Sequence, residues 1–429
     1  AITLKRGALR CVVDLRDGSI SCSGPKGETR FGSFSMSRNG EQARIGKPRV
    51  SISRDGAGPA IGVRLSLPGR AGISYQAWFA PEADAIDLRV NGDWEGNVKP
   101  DAGLNAALQA GFECPAGSAR ILADSPYSIE EVRGSGECRR KYPRGDWMTS
   151  PQWFETVTDP FTSASLVDLG DDRGGVLIAH DGSQQWFRGA KGARVVLTAY
   201  DPWDEGRYTG SGFSAGFRVF PRRGMTNAER ARAAAEFAAG LSARYNRDES
   251  QPVGGGTAGA SGKPDVPKKF GGLEGCGAPG VLAHAYFRES TKSGEGLPAW
   301  AGHRMFRDSD GACDHPYVIR LVEWDGRAAE VTLKLPGPVA LAAKTNLLGE
   351  VQPGSGAGWL TAEPADPPKW ARGAKLKGRP MTWSQVRFSM RPREIATIYA
   401  DLVLGRKQWR DLDAKREVWA TVHKTEQPG

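Results

Sequence analysis

At 429 residues, with 39% apolar and 25% charged side chains, the chain is too long for one compact unit and can supply two or three cores. The net charge of +9 is uneven, with fourteen Lys and Arg against six Asp and Glu between Lys369 and Gly429. Those basic residues are scattered through strand-like and helix-like stretches, not interleaved with aromatics, and they match no nucleic-acid module. No apolar run approaches the ~20 residues of a membrane span.

The 56 glycines and 28 prolines punctuate the chain as turns between short strands do. The first residue is Ala1, not Met, as in a chain that has been processed or cut from something longer. Ala8–Leu15 and Ser19–Ser23 read as a hairpin about Asp17-Gly18. A two-residue turn there makes Cys11 and Cys22 diagonal neighbours on one face. Ile61, Val63, Leu65 and Leu67 alternate, as do Ile86, Leu88 and Val90. Further strands are expected at Ala119–Ala123, Ser165–Leu169 and Gly175–Ala179. Val195, Leu197 and Ala199 alternate with Val196, Thr198 and Tyr200 in a strand partly buried on both faces. After the loop Asp201–Arg207, Phe213, Ala215, Phe217 and Val219 give a strand with one apolar face. Strands at such intervals predict a large antiparallel sandwich over residues 1–249.

One helix is predicted near 227–243. Thr226 and Glu229 have the spacing of a capping box, and six of the eleven residues from Ala228 to Ala238 are Ala. Ala231, Ala234, Ala235, Ala238, Leu241 and Tyr245 repeat at helical spacing as its expected inner stripe. Residues 250–275 read as a Gly/Pro-rich linker with little to bury. A smaller sandwich is predicted for 276–403, with strands at Tyr317–Glu323, Val331–Leu335, Val386–Met390 and Ile395–Ala400. The basic tail 404–429 has helical spacing at Trp409, Leu412 and Trp419.

The chemistry on offer is sparse. His180, His284, His303, His315 and His423 form no HExxH pair, and neither a GxSxG elbow nor a phosphate-binding glycine loop occurs. Cys276, His284, His303, Cys313 and His315 are too widely spaced for a zinc finger, so no metal site is predicted in this chain. The six cysteines fall into three sequence-near pairs, Cys11 with Cys22, Cys114 with Cys138 and Cys276 with Cys313. That pattern suits structural disulfides in an exported protein, periplasmic or extracellular. The loop Asp201–Arg207 packs three carboxylates, Trp203 and Arg207 into seven residues, between strands that can hold it. It reads either as a turn with internal ion pairing or as a ligand-contacting loop. Asp201, Asp204 and Glu205 are neighbours on one loop and poorly placed to flank a glycosidic bond. Trp186-Phe187 and Trp203 are aromatic faces expected at loops or strand ends, where they could stack on a sugar ring.

Several stretches, taken in order, resemble the C-terminal half of the α-mannosidases of glycoside hydrolase family 38. They are Leu9–Ser23; Ala85–Glu95 with its Asp93-Trp94-Glu95 ending; Ala119–Arg133; and Leu166–Asp171. Next come Val196–Gly224 with Trp203-Asp-Glu-Gly206 inside it, Val318–Glu323, Asn346–Glu350 and Met390–Ile398. Tyr200 and Arg222-Arg223 stand where that family usually has Arg and His. The resemblance implies a β-supersandwich of the galactose-mutarotase kind, a linker and a smaller sandwich. It also implies that the nucleophile Asp and the zinc ligands lie on a domain upstream of Ala1. No catalytic residue is then assigned in this chain, which alone is expected to be inactive. Trp203, Asp204, Glu205 and Arg207 become candidates to touch an α-mannoside. A stand-alone carbohydrate-binding or assembly protein is the alternative. A self-sufficient lyase or epimerase using His180 or a Tyr/Arg pair ranks third.

Overall fold

The structure is a computed structural model that describes residues 1–25, 27–38, 41–42, 46–55, 58–66, 72–81, 83–93, 107–114, 120–132, 159–170, 174–189, 191–199, 212–222, 224–239, 277–288, 315–345, 360–367, 375–376, 379–380 and 382–402. It divides into two compact units, Ala1–Ser242 and Ala243–Gly429. The expected linker 250–275 and tail 404–429 lie outside the described residues.

In the first unit the described strands form two nine-stranded antiparallel sheets. One has the order β1 (Ile2–Arg6), β2 (Leu9–Val13), β3 (Ile20–Gly24), β4 (Gly27–Arg38), β10 (Ala107–Glu113), β17 (Gly192–Ala199), β16 (Gln185–Gly189) and β13 (Asp159–Thr162), with β5 (Glu41–Gln42) paired to β4. The other runs β12 (Ser128–Glu131), β11 (Ile121–Ser125), β14 (Leu166–Gly170), β15 (Gly175–His180), β18 (Phe213–Arg222), β9 (Ile86–Asp93), β8 (Gly72–Phe79), β7 (Gly58–Ser66) and β6 (Arg49–Asp55).

Alternation sets which way each strand faces. Ile61, Val63 and Leu65 of β7 are buried, while Arg64 and Ser66 are exposed. The inner faces of the two sheets meet through aromatics. Phe31 of β4 stands edge-on to Tyr75 of β8 at 5.6 Å, and Phe112 of β10 meets Phe217 of β18 at 5.2 Å. Each such ring, withdrawn from water, contributes about 2–3 kcal/mol of hydrophobic stabilisation. At one point the sheets come almost backbone to backbone: a Cβ added to Gly27 would lie 1.9 Å from the Gly175 carbonyl oxygen.

The opening hairpin differs from the expectation in register. Val13 pairs with Ile20, so six residues, Asp14–Ser19, connect the strands, and Cys11 sits directly opposite Cys22. Side chains decide this. Asp17 Oδ1 accepts the Ser19 N–H at 2.9 Å, the Asp14 carbonyl accepts the Gly18 N–H at 2.8 Å, and Gly18 takes φ 78°. This wider turn satisfies more backbone groups than a two-residue turn could.

The helix α1 (Asn227–Ala239) starts with the predicted capping box: Thr226 N–H donates to Glu229 at 2.9 Å and Glu229 N–H to Thr226 Oγ1 at 3.2 Å. Its buried residues are Ala228, Ala233 and Ala234, and Ala235 and Ala238 are exposed. The predicted stripe is therefore rotated. In a helix so rich in Ala the apolar period carries little information, and larger side chains fix the face. Arg230 pairs with Asp168 of β14, and Phe237 lies under the Arg218 guanidinium at 5.1 Å. The helix thereby covers part of the outer face of β14 and β15 and reaches β18 through the Phe237–Arg218 contact.

The second unit is a smaller sandwich. Its four-stranded sheet is β19 (Val281–Arg288), β20 (His315–Glu323), β27 (Ile395–Leu402) and β22 (Val339–Thr345). The facing sheet is β21 (Ala329–Pro336), β26 (Trp383–Met390) and β23 (Ala362–Ala365), and a short pair joins β24 (Lys375–Leu376) to β25 (Arg379–Pro380). Ile319, Leu321 and Ile398 from one sheet pack with Val331, Leu333 and Val386 from the other. The described chain is thus all-β with a single helix. Among the described residues no helix is long and apolar enough to cross a membrane.

Candidate functional site

Trp203, Asp204, Glu205 and Arg207 lie outside the described residues. The strands that flank them are described. β17 ends at Ala199, paired with Ala107 of β10, and β18 begins at Phe213, paired with Gly92 of β9. Ala199 and Phe213 themselves stand at the end of the sandwich where β4, β7 and β9 finish and β6, β8 and β10 begin.

Below that end, the outer face of the second sheet carries an ordered polar row. Ser214 Oγ donates to Asn91 Oδ1 at 2.8 Å. Asp181 accepts the Gly216 N–H at 2.8 Å and pairs with Arg89 at 3.3 Å. Gly216 leaves room for this carboxylate, because a Cβ there would fall 2.5 Å from Asp181 Oδ2 and push it aside. Asn91, Ser214 and Arg89 are exposed, and the Arg89–Asp181 pair, open to solvent, adds little stability.

His180, the residue of the acid–base reading, belongs to a buried cluster that sequence reasoning did not assemble. Its Nε2 lies 2.9 Å from Ser163 Oγ, which also lies 2.9 Å from Asp124 Oδ1 and 2.6 Å from the Leu166 carbonyl. Asp124 Oδ1 accepts the N–H groups of Ala164, Ser165 and Leu166, and Oδ2 accepts the Ser165 hydroxyl at 2.6 Å. Because the Ser163 proton goes to Asp124 or to Leu166, the imidazole carries its own proton on Nε2 and donates it to Ser163. Nδ1 is then a buried acceptor without a partner. Burial pushes the His180 pKa down to about 4, against the opposing pull of Asp124 and Asp181. Ser, His and Asp meet here in the wrong order for nucleophilic catalysis, since the carboxylate holds the serine and the backbone, not the imidazole. With His180 and Ser163 each 1% exposed, the cluster pins the β11–β14–β15 corner.

Trp186 was expected as a sugar-stacking face. It is fully buried in β16, against Phe112 at 5.9 Å and His180 at 5.5 Å, and so is a core residue. The sequence places it near a strand end, but only the sheet-to-sheet packing shows that the strand's inner face swallows the indole. Phe187 is half-buried.

At the opposite end of the sandwich a pocket of about 760 Å³ opens between the β1–β2, β3–β4 and β8–β9 turns and the start of α1. Two of its charged lining residues, Arg6 and Glu229, are committed to the fold, while Asp84 is exposed. Arg6 donates to the Ala80 and Ala83 carbonyls at 2.6 and 2.5 Å and lies over Phe79, and Glu229 is held in the capping box. Among the described residues no three His, Cys, Asp or Glu come together as metal ligands. His284 and His315 lie on paired strands β19 and β20, whereas Cys276, His303 and Cys313 lie outside the described residues, as does Cys138. Cys11 and Cys22 are buried thiols, and Cys114 is buried in the same core.

In the second unit Glu323, part of the Val318–Glu323 motif, is 2% exposed, and its carboxylate is filled by backbone. It accepts the N–H groups of Asp325, Gly326, Arg327 and Arg393 at 2.8–3.1 Å. The motif glutamate therefore ties the β20–β21 turn to the turn before β27.

No family model matches the sequence, and no curated protein matches it. Solved structures do match. The α-mannosidase from Enterococcus faecalis V583 superposes with a TM-score of 0.53 at 11% identity, over 93% of this chain and 42% of that one. A protein in glycosyl hydrolase family 38, also from Enterococcus faecalis, gives 0.51 at 11% identity, over 93% and 44%. The chain spans less than half the length of these proteins, and over nearly all of its own length it shares the fold of part of a family 38 α-mannosidase.

Proposed function

We propose that this chain is the β region of an α-mannosidase-like retaining glycoside hydrolase. In this reading it supports and partly lines a sugar site, and an upstream domain supplies the zinc and the Asp nucleophile. The supporting observation is the coverage: 93% of this chain matches, but only 42–44% of the two Enterococcus faecalis chains, so the partner fold in those proteins has no counterpart here. Among the described residues of this chain no His, Cys, Asp and Glu group fits a zinc ion.

What this chain contributes is binding and orientation. Asp204 and Glu205 would accept sugar hydroxyl protons, Arg207 would donate to ring-substituent oxygens, and the Trp203 face would stack on the apolar side of the pyranose. Rigid flanking strands make such a loop an effective positioning element, since orientation is among the larger contributions to rate. We further propose an exported location, in keeping with the cysteine pairing expected from the sequence.

The test is to read the coding sequence upstream of Ala1 and to titrate the present chain with α-mannosides. An in-frame α/β domain with Asp and His motifs, and no turnover by this chain alone, supports the reading. A stop codon just ahead of a start codon, with mannoside binding by the chain on its own, would replace it with a stand-alone carbohydrate-binding protein.

A further inference from the structure

A row of four residues crosses the first sheet of the large sandwich. Cys11 of β2 is opposite Cys22 of β3, and Cys22 is opposite Thr29 of β4. Glu113 at the end of β10 is opposite Arg30, so Cys114, the next residue, follows on beside Thr29. All four are buried: Cys11, Cys22 and Thr29 fully, and Cys114 to 4% exposure.

The register decides which cysteines can join. The Asp14 N–H donates to the Ser19 carbonyl, so the pairs alternate along the hairpin and Cys11 with Cys22 is a non-hydrogen-bonded pair. In such a pair the Cα atoms are ~4.5 Å apart and the side chains are at their closest, which lies at the short end of the range a disulfide spans. Cys114 is two strands from Cys22, ~9.6 Å at the usual inter-strand spacing and beyond disulfide reach.

We propose that Cys11 and Cys22 are a cross-strand disulfide site, closed by exchange with a disulfide oxidant before the hairpin packs into the sandwich, and inaccessible to that oxidant afterwards. In the reaction one thiolate attacks the oxidant's disulfide and releases a thiolate, and the second cysteine then displaces the mixed disulfide. Two protons and two electrons leave the pair, and the oxidant's sulfurs are reduced to two thiols. Access sets the order of events. Both sulfurs sit in a closed apolar core, and the contact between them, together with burial, holds the Cys22 thiol in its protonated form. The direct register of Cys11 with Cys22, in place of the diagonal relation expected from sequence, sets this pair apart from any bridge involving Cys114.

The test uses the full chain with oxidised glutathione as the probe. One sample is unfolded, reduced and refolded with the probe, and another is folded under reducing conditions and exposed to it afterwards. Both are then alkylated and digested with trypsin. Cleavage after Arg16 separates the two cysteines, so their peptides stay joined only if bridged. The expected result is a joined Cys11–Cys22 peptide pair in the refolded sample and at least tenfold less of it in the natively exposed one. Cys114→Ser should leave that bridge unchanged. Joining of Cys22 to Cys114, alkylation of both Cys11 and Cys22 after oxidative refolding, or equal bridging in the two samples would overturn the proposal.

Discussion

Acidification should weaken the large sandwich through one residue, His180. The imidazole is neutral in the fold, with a pKa of about 4 against 6.5 when exposed, and burial is the main cause. Between those values the unfolded chain binds a proton that the folded chain refuses, so stability falls as pH falls from 6.5 toward 4. Above 6.5 the residue contributes no pH dependence. At 1.36 kcal/mol per pKa unit, the loss attributable to His180 is about 1.4 kcal/mol near pH 5.5 and about 2.5 kcal/mol near pH 4.5. Urea unfolding followed by circular dichroism between about pH 7.5 and pH 4.5 reads this slope. His180→Phe keeps a ring beside Trp186 and leaves Ser163 its bonds to Asp124 and Leu166, so its slope should be flatter by about those amounts. Parallel pH profiles for the two proteins would refute the assignment of a neutral, proton-refusing imidazole.

Three further outcomes are expected. Glu323→Ala leaves four backbone N–H groups without their acceptor and should destabilise the smaller sandwich by on the order of 3 kcal/mol. Hydrogen exchange should then speed up first at Gly326, Arg327 and Arg393. Gly27→Ala forces a methyl into the Gly175 carbonyl and should lower stability by about 1–3 kcal/mol, measured as a lower urea midpoint with unchanged slope. If the proposed upstream domain is present, Trp203→Ala in the complete protein should raise KM for α-mannosides with little change in circular dichroism; an unchanged KM would remove the loop from the sugar site.

Where one strand face meets a core, the pattern was plain in the sequence. Ile61, Val63 and Leu65 were legible, as were Ile86, Leu88 and Val90, and Val331, Leu333 and Leu335, because a period of two needs no knowledge of partners. The Thr226–Glu229 capping box was legible because its chemistry is local. The twelve-residue strand β4 was not, since Gly32 and Ser33 separate its two phenylalanines and break the alternation, and its pairing with β10 spans some eighty residues of chain. The hairpin register escaped for a similar reason: Asp14 and Asp17 side chains build a turn that the Asp17-Gly18 dipeptide does not announce. Nothing near His180 in sequence points to Asp124, whose carboxylate caps a bend about forty residues away. The candidate loop Asp201–Arg207 was read from composition alone, and it lies outside the described residues.

The most direct test of the central claim is the hydrolysis of an aryl α-mannoside by the product of the complete reading frame, assayed before and after chelation of metal. The account predicts hydrolysis with retained anomeric configuration, loss of activity on chelation and recovery with zinc, while residues 1–429 alone release no product. Turnover by residues 1–429 alone, or a complete product that binds mannosides without hydrolysing them, would contradict it.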